Sequence, residues 1–354
     1  MSAYSDQIVR HLDHLYHVDE RRHAFRGSTP EKFSAWSSAA RPALRTLVGL
    51  ERIRESIRAF QTGVSLGETE DLGDCTRQAG VLHAEPHFDV PFYYLRPKTA
   101  GPHPLALFPH GHYQERGFEI TAGIARDAEE AAYIAAEDRD VAVQAAHLGF
   151  AAIAPATRGF LPAVIPDLTG RHNNRNCHSE LIHALLVGRT VIGERVWDLE
   201  RLIDWATGQP DVDASSVLMI GNSGGGVATL YAAACDTRVT TAVVSCSFCS
   251  FVGETGFVHH CDCNLVPGMM QFGEAWDIAG LIAPRRLLVV HGAQDPLFPF
   301  PEIDRAVDAT RGVFAAAGVP DAFAHRWGEG GHRFYRDLMW PFVQEGFPAD
   351  RSPA

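Results

Sequence analysis

The chain has 354 residues, of which 46% are hydrophobic, and a formal net charge of −12 at pH 7. This length and apolar content suffice for a large buried core, in one big α/β domain or two smaller ones. The charge is dispersed without a basic run, and lysine occurs only at Lys32 and Lys98. This composition argues against nucleic acid or an anionic membrane as a partner.

The start of the chain and its cysteines bear on the cellular compartment. Residues 1–19 are charged and lack the apolar core of a signal peptide, and no segment approaches the roughly 18 uncharged apolar residues of a membrane span. The seven cysteines are Cys75, Cys177, Cys235, Cys246, Cys249, Cys261 and Cys263. An odd, scattered set without an export signal predicts free thiols and a cytoplasmic protein.

The first third of the chain changes from a helical to an extended pattern. Apolar residues at helical spacing predict that residues 1–75 form a helical extension, packed on the main domain at 76–354. Residues 80–87 and 90–96 are then expected to form a hairpin. A short buried strand is predicted at 105–108, after three prolines.

From there strands and helices alternate along the chain. Strands are predicted at 149–155, 215–220, 239–244, 286–291 and 322–327, and helices at 141–147, 180–206, 227–234, 303–316 and 334–343. Short connections between them predict an α/β fold with a mostly parallel central sheet flanked by helices. Residues 247–282 do not alternate, which is typical of an excursion that shapes a pocket.

The sequence Gly221-Asn222-Ser223-Gly224-Gly225 lies between a predicted strand and a predicted helix. A G-x-S-x-G sequence in this context is the pattern of a nucleophile elbow, in which glycines allow strand and helix to approach around a strained serine. Ser223 is therefore the candidate nucleophile. The alternative is an ordinary glycine-rich turn.

A serine hydroxyl needs a base to take its proton, and the base needs an orienting carboxylate. In this architecture both partners follow the serine, acid before histidine, each after a strand. Asp295 and His332 meet that order. Glu254 is the competing acid, and His291 is the competing base.

Two backbone N–H groups are expected to stabilise the oxyanion of a tetrahedral intermediate. One would belong to Gly224, directly after the nucleophile. The other would come from the loop at 108–112, where Gly111 permits a tight turn and His112 N–H is the candidate donor. A strand-ending turn without function is the alternative for this loop.

These motifs together resemble the α/β-hydrolase superfamily over residues 80–345. The phrases around Trp276-Asp277-Ile278-Ala279, Asp295-Pro296-Leu297-Phe298-Pro299 and Gly331-His332-Arg333-Phe334 are similar to bacterial esterases of the dienelactone hydrolase and acetyl xylan esterase type. The resemblance implies ester hydrolysis through an acyl-serine, often the removal of acetyl groups. Its nucleophile, acid and base map to Ser223, Asp295 and His332.

Other polar and aromatic residues are candidates to line the pocket. They are Tyr113, Arg116, Arg158, Phe160, His259, His260 and Phe298. The run His259-His260-Cys261-Asp262-Cys263 has spacings too short for a finger-like metal site. His172, Cys177 and His178 are the candidates to add ligands from elsewhere in the fold. The sequence therefore predicts no metal.

The sequence predicts a cytoplasmic serine hydrolase that cleaves small carboxylic esters without a cofactor. Its expected partner is the small-molecule ester, and the oligomeric state, including a homo-oligomer, stays open. An amidase or peptidase, a lactonase and a carbon–carbon hydrolase would use the same triad, because the fold does not determine the reaction. A non-catalytic scaffold is the remaining alternative.

Overall fold

The computed structural model describes residues 3–17, 21–112, 116–160, 176–253 and 256–347. Three helices come first: α1 Ala3–His17, α2 Pro30–Val48 and α3 Leu50–Ser56. The α2 helix begins with a proline behind the N-cap Thr29 and ends at Gly49, whose φ of 90° is left-handed. Both are ordinary helix boundaries, because proline suits the first turn and glycine tolerates positive φ.

The predicted helical extension ends earlier than residue 75. Residues Gly63–Asp71 form strand β1, which pairs antiparallel with β2 Cys75–Glu85, and β2 in turn pairs with β3 Phe88–Pro97. The helical prediction is wrong for β1. This strand is almost entirely exposed, so it carries no apolar periodicity, and pairing with β2 determines its conformation.

Eight further strands follow along the described ranges: six complete the large sheet, and the two short strands Val252–Gly253 and Gly256–Phe257 pair antiparallel with each other in a separate sheet. They are β4 His103–Leu107, β5 Ala151–Pro155, β6 Val212–Asn222, β7 Val239–Ser245, β8 Val252–Gly253, β9 Gly256–Phe257, β10 Arg286–Gly292 and β11 Phe323–Gly328. Within the described ranges, the large sheet has the order β1-β2-β3-β5-β4-β6-β7-β10-β11. All neighbours from β5 to β11 in that order are parallel. The predicted mostly parallel sheet is thereby confirmed.

Helices cover both faces of this sheet. They are α4 Gly117–Thr121, α5 Ala128–Ala136, α6 Val141–His147, α7 Asn176–Leu186, α8 Val191–Ala206, α9 Gly224–Cys235, α10 Met269–Phe272, α11 Ala275–Gly280, α12 Phe300–Ala316 and α13 Arg336–Gly346. The single helix predicted at 180–206 is wrong, because α7 and α8 are separate. Gly188 has a φ of 70°, and Thr190 caps α8 by accepting a hydrogen bond from Gly193 N–H at 2.9 Å.

Alternate residues of the central strands enter two different apolar cores. In β6, Val217 and Met219 pack in the core with α2, α8, α9 and α12. Leu218 and Ile220 face the opposite core with α6 and α13. Because both faces are buried, polar chemistry is confined to the loops at the strand ends. None of the helices in the described ranges is long and apolar enough to cross a membrane.

Candidate active site

Ser223 occupies a strained turn at the carboxyl end of β6, directly before α9. Its φ of 56° and ψ of −127° are unusual for a residue with a side chain, and its N–H donates to Ser245 O at 2.9 Å. A Cβ on Gly221 would lie 2.1 Å from Gly225 O, so only glycine fits there. Such backbone strain costs about 1–3 kcal/mol and persists where the surroundings enforce it.

Asp295 and His332 meet beyond the ends of the neighbouring parallel strands β10 and β11. His332 Nδ1 lies 2.7 Å from Asp295 Oδ2, and Leu297 N–H donates to Asp295 Oδ1 at 3.0 Å. Burial raises the pKa of Asp295, but the hydrogen bond from His332 and the attraction of its imidazolium form outweigh burial and leave that pKa below its ordinary value. An ionised Asp295 accepts from Nδ1–H, which leaves His332 Nε2 as the acceptor of this imidazole.

Ser223 and His332 line the same narrow cavity. Its volume is about 40 Å³, and its lining residues are His110, Gly111, His112, Gly117, Ile120, Thr121, Arg139, Asn222, Ser223, His332 and Phe334. A wider depression of about 560 Å³ shares His112, Ile120, Arg139 and His332 with it. The wider depression also contains charged side chains, Arg116 and Glu130 among them. The structure thus brings Ser223 and His332 to one cavity with a polar approach, and Asp295 is hydrogen-bonded to His332.

The loop after β4 packs directly against the turn at Ser223. A Cβ on Gly111 would lie 2.8 Å from Asn222 O, 3.0 Å from Ser223 Cβ and 3.2 Å from Gly224 N. The backbone of the His-Gly turn therefore lies beside the Gly224 amide, as the oxyanion-hole prediction requires.

His110 holds this loop in place from behind. Its Nδ1 lies 2.7 Å from Gly111 O, and its Nε2 accepts from Thr157 N–H at 3.0 Å. Complete burial lowers the pKa of His110 to about 4, so the ring is neutral, with Nδ1 as its donor. Both ring nitrogens are thus committed to the backbone.

The competing base His291 is buried and is not among the described lining residues of the cavity of Ser223. Its Nε2 lies 2.8 Å from Phe248 O, and its Nδ1 lies 3.1 Å from Nε2 of His325. Burial lowers the pKa of His291 to about 3. These contacts match the structural role that its position before Asp295 indicates. The competing acid Glu254 lies outside the described residues.

Arg158, a predicted pocket residue, is instead a buried ion-pair centre. Its guanidinium contacts Asp198 through two hydrogen bonds of 2.6 Å and Glu85 at 2.7 Å. It does not line the cavity of Ser223 as described. The physical reason is that the carboxylates of β2 and α8 compensate its charge inside the core.

The other predicted pocket residues divide between two regions. Arg116 lines the wider depression, where it pairs with Glu119 and Glu130. Phe160 is buried at the elbow, with its ring centroid 4.1 Å from that of His112. Another aromatic candidate, Tyr113, lies outside the described residues.

Three further candidates lie away from the described lining of the narrow cavity and the wider depression. His260 is buried with its Nε2 2.9 Å from Ser250 O, and burial lowers its pKa to about 4. Phe298 packs on the His260 ring at 4.9 Å between centroids. His259 is exposed, 3.8 Å from Asp262.

Sequence reasoning missed part of the cavity wall. Ile120 and Thr121 come from α4, and Arg139 comes from the turn before α6. The short helix α4 carries no recognisable periodicity over five residues, so only tertiary packing brings it to the serine. Sequence reasoning also missed that the His112 ring points at Cys261, with Nε2 and Sγ 3.3 Å apart.

Comparisons with known proteins agree on the fold. No protein-family model matches the chain. YtaP of Bacillus subtilis, a protein assigned as a hydrolase, is 27% identical over 248 residues, which are 69% of this chain and 78% of that protein. The structure of a Bacteroides fragilis protein assigned as an acetyl xylan esterase superposes with a TM-score of 0.72 at 18% identity, covering 96% of this chain and 84% of that one.

A glucuronoyl esterase from Solibacter usitatus superposes with a TM-score of 0.60 at 16% identity, covering 89% of this chain and 91% of that one. At identities this low, the superpositions establish the architecture alone. The chain has the α/β-hydrolase fold that the resemblance implied.

Proposed function

We propose that this protein is a serine hydrolase that cleaves small carboxylic esters, acetyl esters foremost. The observation that carries the proposal is the strained Ser223, which shares one narrow cavity with His332, the hydrogen-bond partner of Asp295. The strand-to-helix turn presents the hydroxyl, and the loops after the last two strands, β10 and β11, carry the acid and then the base, in the order that this chemistry uses.

In the proposed mechanism His332 Nε2 takes the Ser223 proton while the serine oxygen attacks the ester carbonyl. Asp295 keeps the proton on Nδ1 and stabilises the imidazolium that forms. His332 then protonates the departing alcohol, leaving an acyl-serine. A water molecule, deprotonated by the same histidine, releases the acid and restores the serine.

The oxyanion would be bound by the N–H groups of Gly224 and His112. Support comes from the close approach of the His-Gly turn to the Gly224 amide and from the two hydrogen bonds that hold His110. A donor that is held in place before the reaction needs no reorganisation in the transition state. Loss of one such donor typically costs about 3 kcal/mol of transition-state stabilisation.

The size of the narrow cavity favours a short acyl group. One water needs about 10–15 Å³ on the same measure, so about 40 Å³ accommodates three or four heavy atoms. An acetyl group has three. The wider depression, with Arg116 and Glu130 among its lining residues, would receive a polar alcohol such as a sugar. The assignment of two structural neighbours as an acetyl xylan esterase and a glucuronoyl esterase is consistent with this substrate class.

A cytoplasmic location is part of the proposal. It is supported by the cysteines, all seven of which are free thiols in the structure. Free thiols suit a reducing compartment. In that compartment, acetylated sugars of small size would be the natural substrates.

Hydrolysis of p-nitrophenyl acetate, butyrate and octanoate tests this proposal. Wild type should prefer acetate, and Ser223→Ala should abolish turnover, because the variant retains the fold and lacks the attacking oxygen. Ser215→Ala, which removes an exposed hydroxyl paired with Asp213, is the matched control and should keep wild-type rates. An acetanilide with the same acyl group separates esterase from amidase activity.

Two results would contradict the proposal. Equal turnover by Ser223→Ala would remove the serine from the mechanism. Failure of the folded wild type both to cleave these esters and to be labelled at Ser223 by an organophosphonate would indicate a scaffold without catalysis.

A further inference from the structure

Four metal-ligating side chains converge beside the candidate active site. They are His112 from the loop after β4, Cys177 from α7, and Cys261 and Cys263 from the segment around a 3₁₀ turn at Asp262–Asn264. One ligand atom from each lies within 4.8 Å of the other three. Three segments far apart in sequence thus contribute to a single cluster, named here the Cys3His cluster.

We propose that the Cys3His cluster is a structural Zn²⁺ site. A tetrahedral zinc with Zn–S bonds of about 2.3 Å separates its sulfur ligands by about 3.8 Å. In the structure the Sγ–Sγ distances are 3.7 Å for Cys177 and Cys261 and 3.8 Å for Cys261 and Cys263. The same geometry places an imidazole nitrogen about 3.5 Å from each sulfur, and His112 Nε2 lies 3.3 Å from Cys261 Sγ and 3.8 Å from Cys263 Sγ.

The donor set selects the metal. Soft thiolates with one imidazole favour zinc over the hard cations magnesium and calcium, which prefer oxygen ligands. Four protein ligands fill a tetrahedral zinc and leave no position for water, which is the pattern of structural zinc. The metal would therefore stabilise the architecture, with hydrolysis remaining at Ser223.

The surroundings of the cluster fit a bound ion of this charge. Three thiolates, a neutral imidazole and Zn²⁺ together leave one net negative charge. The buried guanidinium of Arg195 lies close by, donating to the side chain of Asn264 at 2.9 Å and facing the Phe160 ring at 4.1 Å. Phe160 in turn packs on His112. A buried cation in this position compensates the charge of a thiolate-rich site.

The backbone also pays a conformational cost to place one ligand. Cys261 has a φ of 76°, a left-handed conformation that side-chain-bearing residues rarely adopt. Hydrogen bonds fix the segment around it: His178 Nδ1 and Asp262 Oδ2 are 2.8 Å apart, and Asn264 donates to His260 O at 2.5 Å. Strain of this kind is typical of ligand clamps. The disulfide alternative, between Cys177 and Cys261, would require the 3.7 Å separation to close to about 2.05 Å.

A metal here would act on the candidate oxyanion hole through one residue. His112 would bind zinc through its ring, while its backbone N–H is the proposed oxyanion donor. The metal would then fasten the His-Gly loop to α7 and to the segment 261–264. This consequence rests on the proposed function, whereas zinc binding itself does not. His112 acts on the reaction through its backbone, and its ring serves as a positioning group.

Metal analysis of the purified full-length chain tests the site. A protein expressed without a polyhistidine tag, in zinc-supplemented medium, should contain one zinc per chain by plasma mass spectrometry. Cys261→Ser and Cys263→Ser should lose most of it. Cys75→Ala is the matched control, because Cys75 is buried in the opposite core, and it should keep the full zinc content. Replacement by Co²⁺ should give the visible absorption of a tetrahedral thiolate site in wild type and control only.

If the cysteine variants fail to fold, wild-type protein provides the test. Chelation should release one zinc, expose three additional titratable thiols and lower the Tm, and adding zinc should restore all three readouts. A folded wild type with less than about a tenth of an equivalent of zinc, before and after reconstitution, would overturn the proposal, and so would a Cys177–Cys261 disulfide in the isolated protein. Iron or copper at full stoichiometry would overturn zinc as the metal.

Zinc content is measured independently of ester hydrolysis, so the two proposals can fail separately. Ser223→Ala should retain one zinc per chain and lose turnover. A zinc-loaded wild type without esterase activity would refute the proposed function alone. An active, metal-free wild type would refute the metal site alone.

Discussion

Replacing Asp295 by asparagine changes which nitrogen of His332 carries the proton. Leu297 N–H donates to Asp295 Oδ1 at 3.0 Å, and His332 Nδ1 lies 2.7 Å from Oδ2. In Asp295→Asn the amide oxygen is expected to keep the Leu297 contact. The amide NH₂ then faces Nδ1, which must become an acceptor, so that the proton moves to Nε2. In that tautomer His332 cannot take the Ser223 proton.

The magnitude follows from the two orientations open to the amide. With the Leu297 contact kept, the wrong tautomer lowers kcat by about 10⁴, equivalent to about 5 kcal/mol. If the amide flips, two donors face each other at Leu297 at a cost of about 1–3 kcal/mol. Loss of the carboxylate charge also removes about 1.5–3 kcal/mol of stabilisation from the imidazolium that forms in the reaction. Either orientation predicts a loss between about 10²-fold and 10⁴-fold.

Steady-state hydrolysis of p-nitrophenyl acetate and of an unactivated acetyl ester measures this loss. The fall should appear in kcat with KM little changed, because the carboxylate does not contact the substrate. Asp308→Asn is the matched control: it makes the same chemical change at an exposed residue paired with Arg311, and its rates should stay at the wild-type level.

An Asp295→Asn protein with normal circular dichroism and kcat within tenfold of wild type would refute this reasoning. The orienting acid would then lie elsewhere, with Glu254 as the remaining sequence candidate. A rise in KM with an unchanged kcat would also contradict this reasoning, since it would assign Asp295 to substrate binding.

Three further predictions concern the loop, the core and pH. Gly111→Ala should lower kcat by about 10²–10³-fold in the acetate assay, because its Cβ would lie 2.8 Å from Asn222 O and displace the oxyanion donor. Gly312→Ala should keep full activity, because a Cβ added there would meet no neighbouring group within 4 Å. Arg158→Met should lower the free energy of unfolding in urea by about 3–5 kcal/mol, because it leaves buried carboxylates unpaired, and an unchanged stability would contradict the ion-pair role. Burial lowers the pKa of His291 to about 3 and that of His260 to about 4, so the unfolded chain binds more protons below about pH 6.5. The free energy of unfolding should therefore fall by up to about 1.4 kcal/mol per pH unit for each histidine as the pH drops from about 6.5 towards 4, and the Tm should fall with it. A constant Tm across this window would contradict the assignment of neutral buried rings.

The local sequence determined the parts of this protein that depend on neighbours along the chain. Glycines on both sides of Ser223 are required by close backbone contacts within the same turn, so the elbow is visible in a short stretch of sequence. The central strands are buried on both faces and therefore appear as continuous apolar runs. The parallel sheet brings Ser223, Asp295 and His332 to the same edge, because each residue lies in the connection that follows its own strand.

Only the tertiary structure decided which distant residues share a site. Strand β1 is exposed and stabilised by pairing with β2, so the pattern of its own residues does not indicate a strand. Arg158 looked available to a substrate, but carboxylates from β2 and α8 surround it in the core. The cysteine pair at Cys261 and Cys263 looked too close for a metal site, and its partners Cys177 and His112 reach it only because helix α7 and the His-Gly loop pack on the same side of the elbow. Contacts between residues so far apart arise from packing free energy summed over the whole core, which no short stretch of sequence contains.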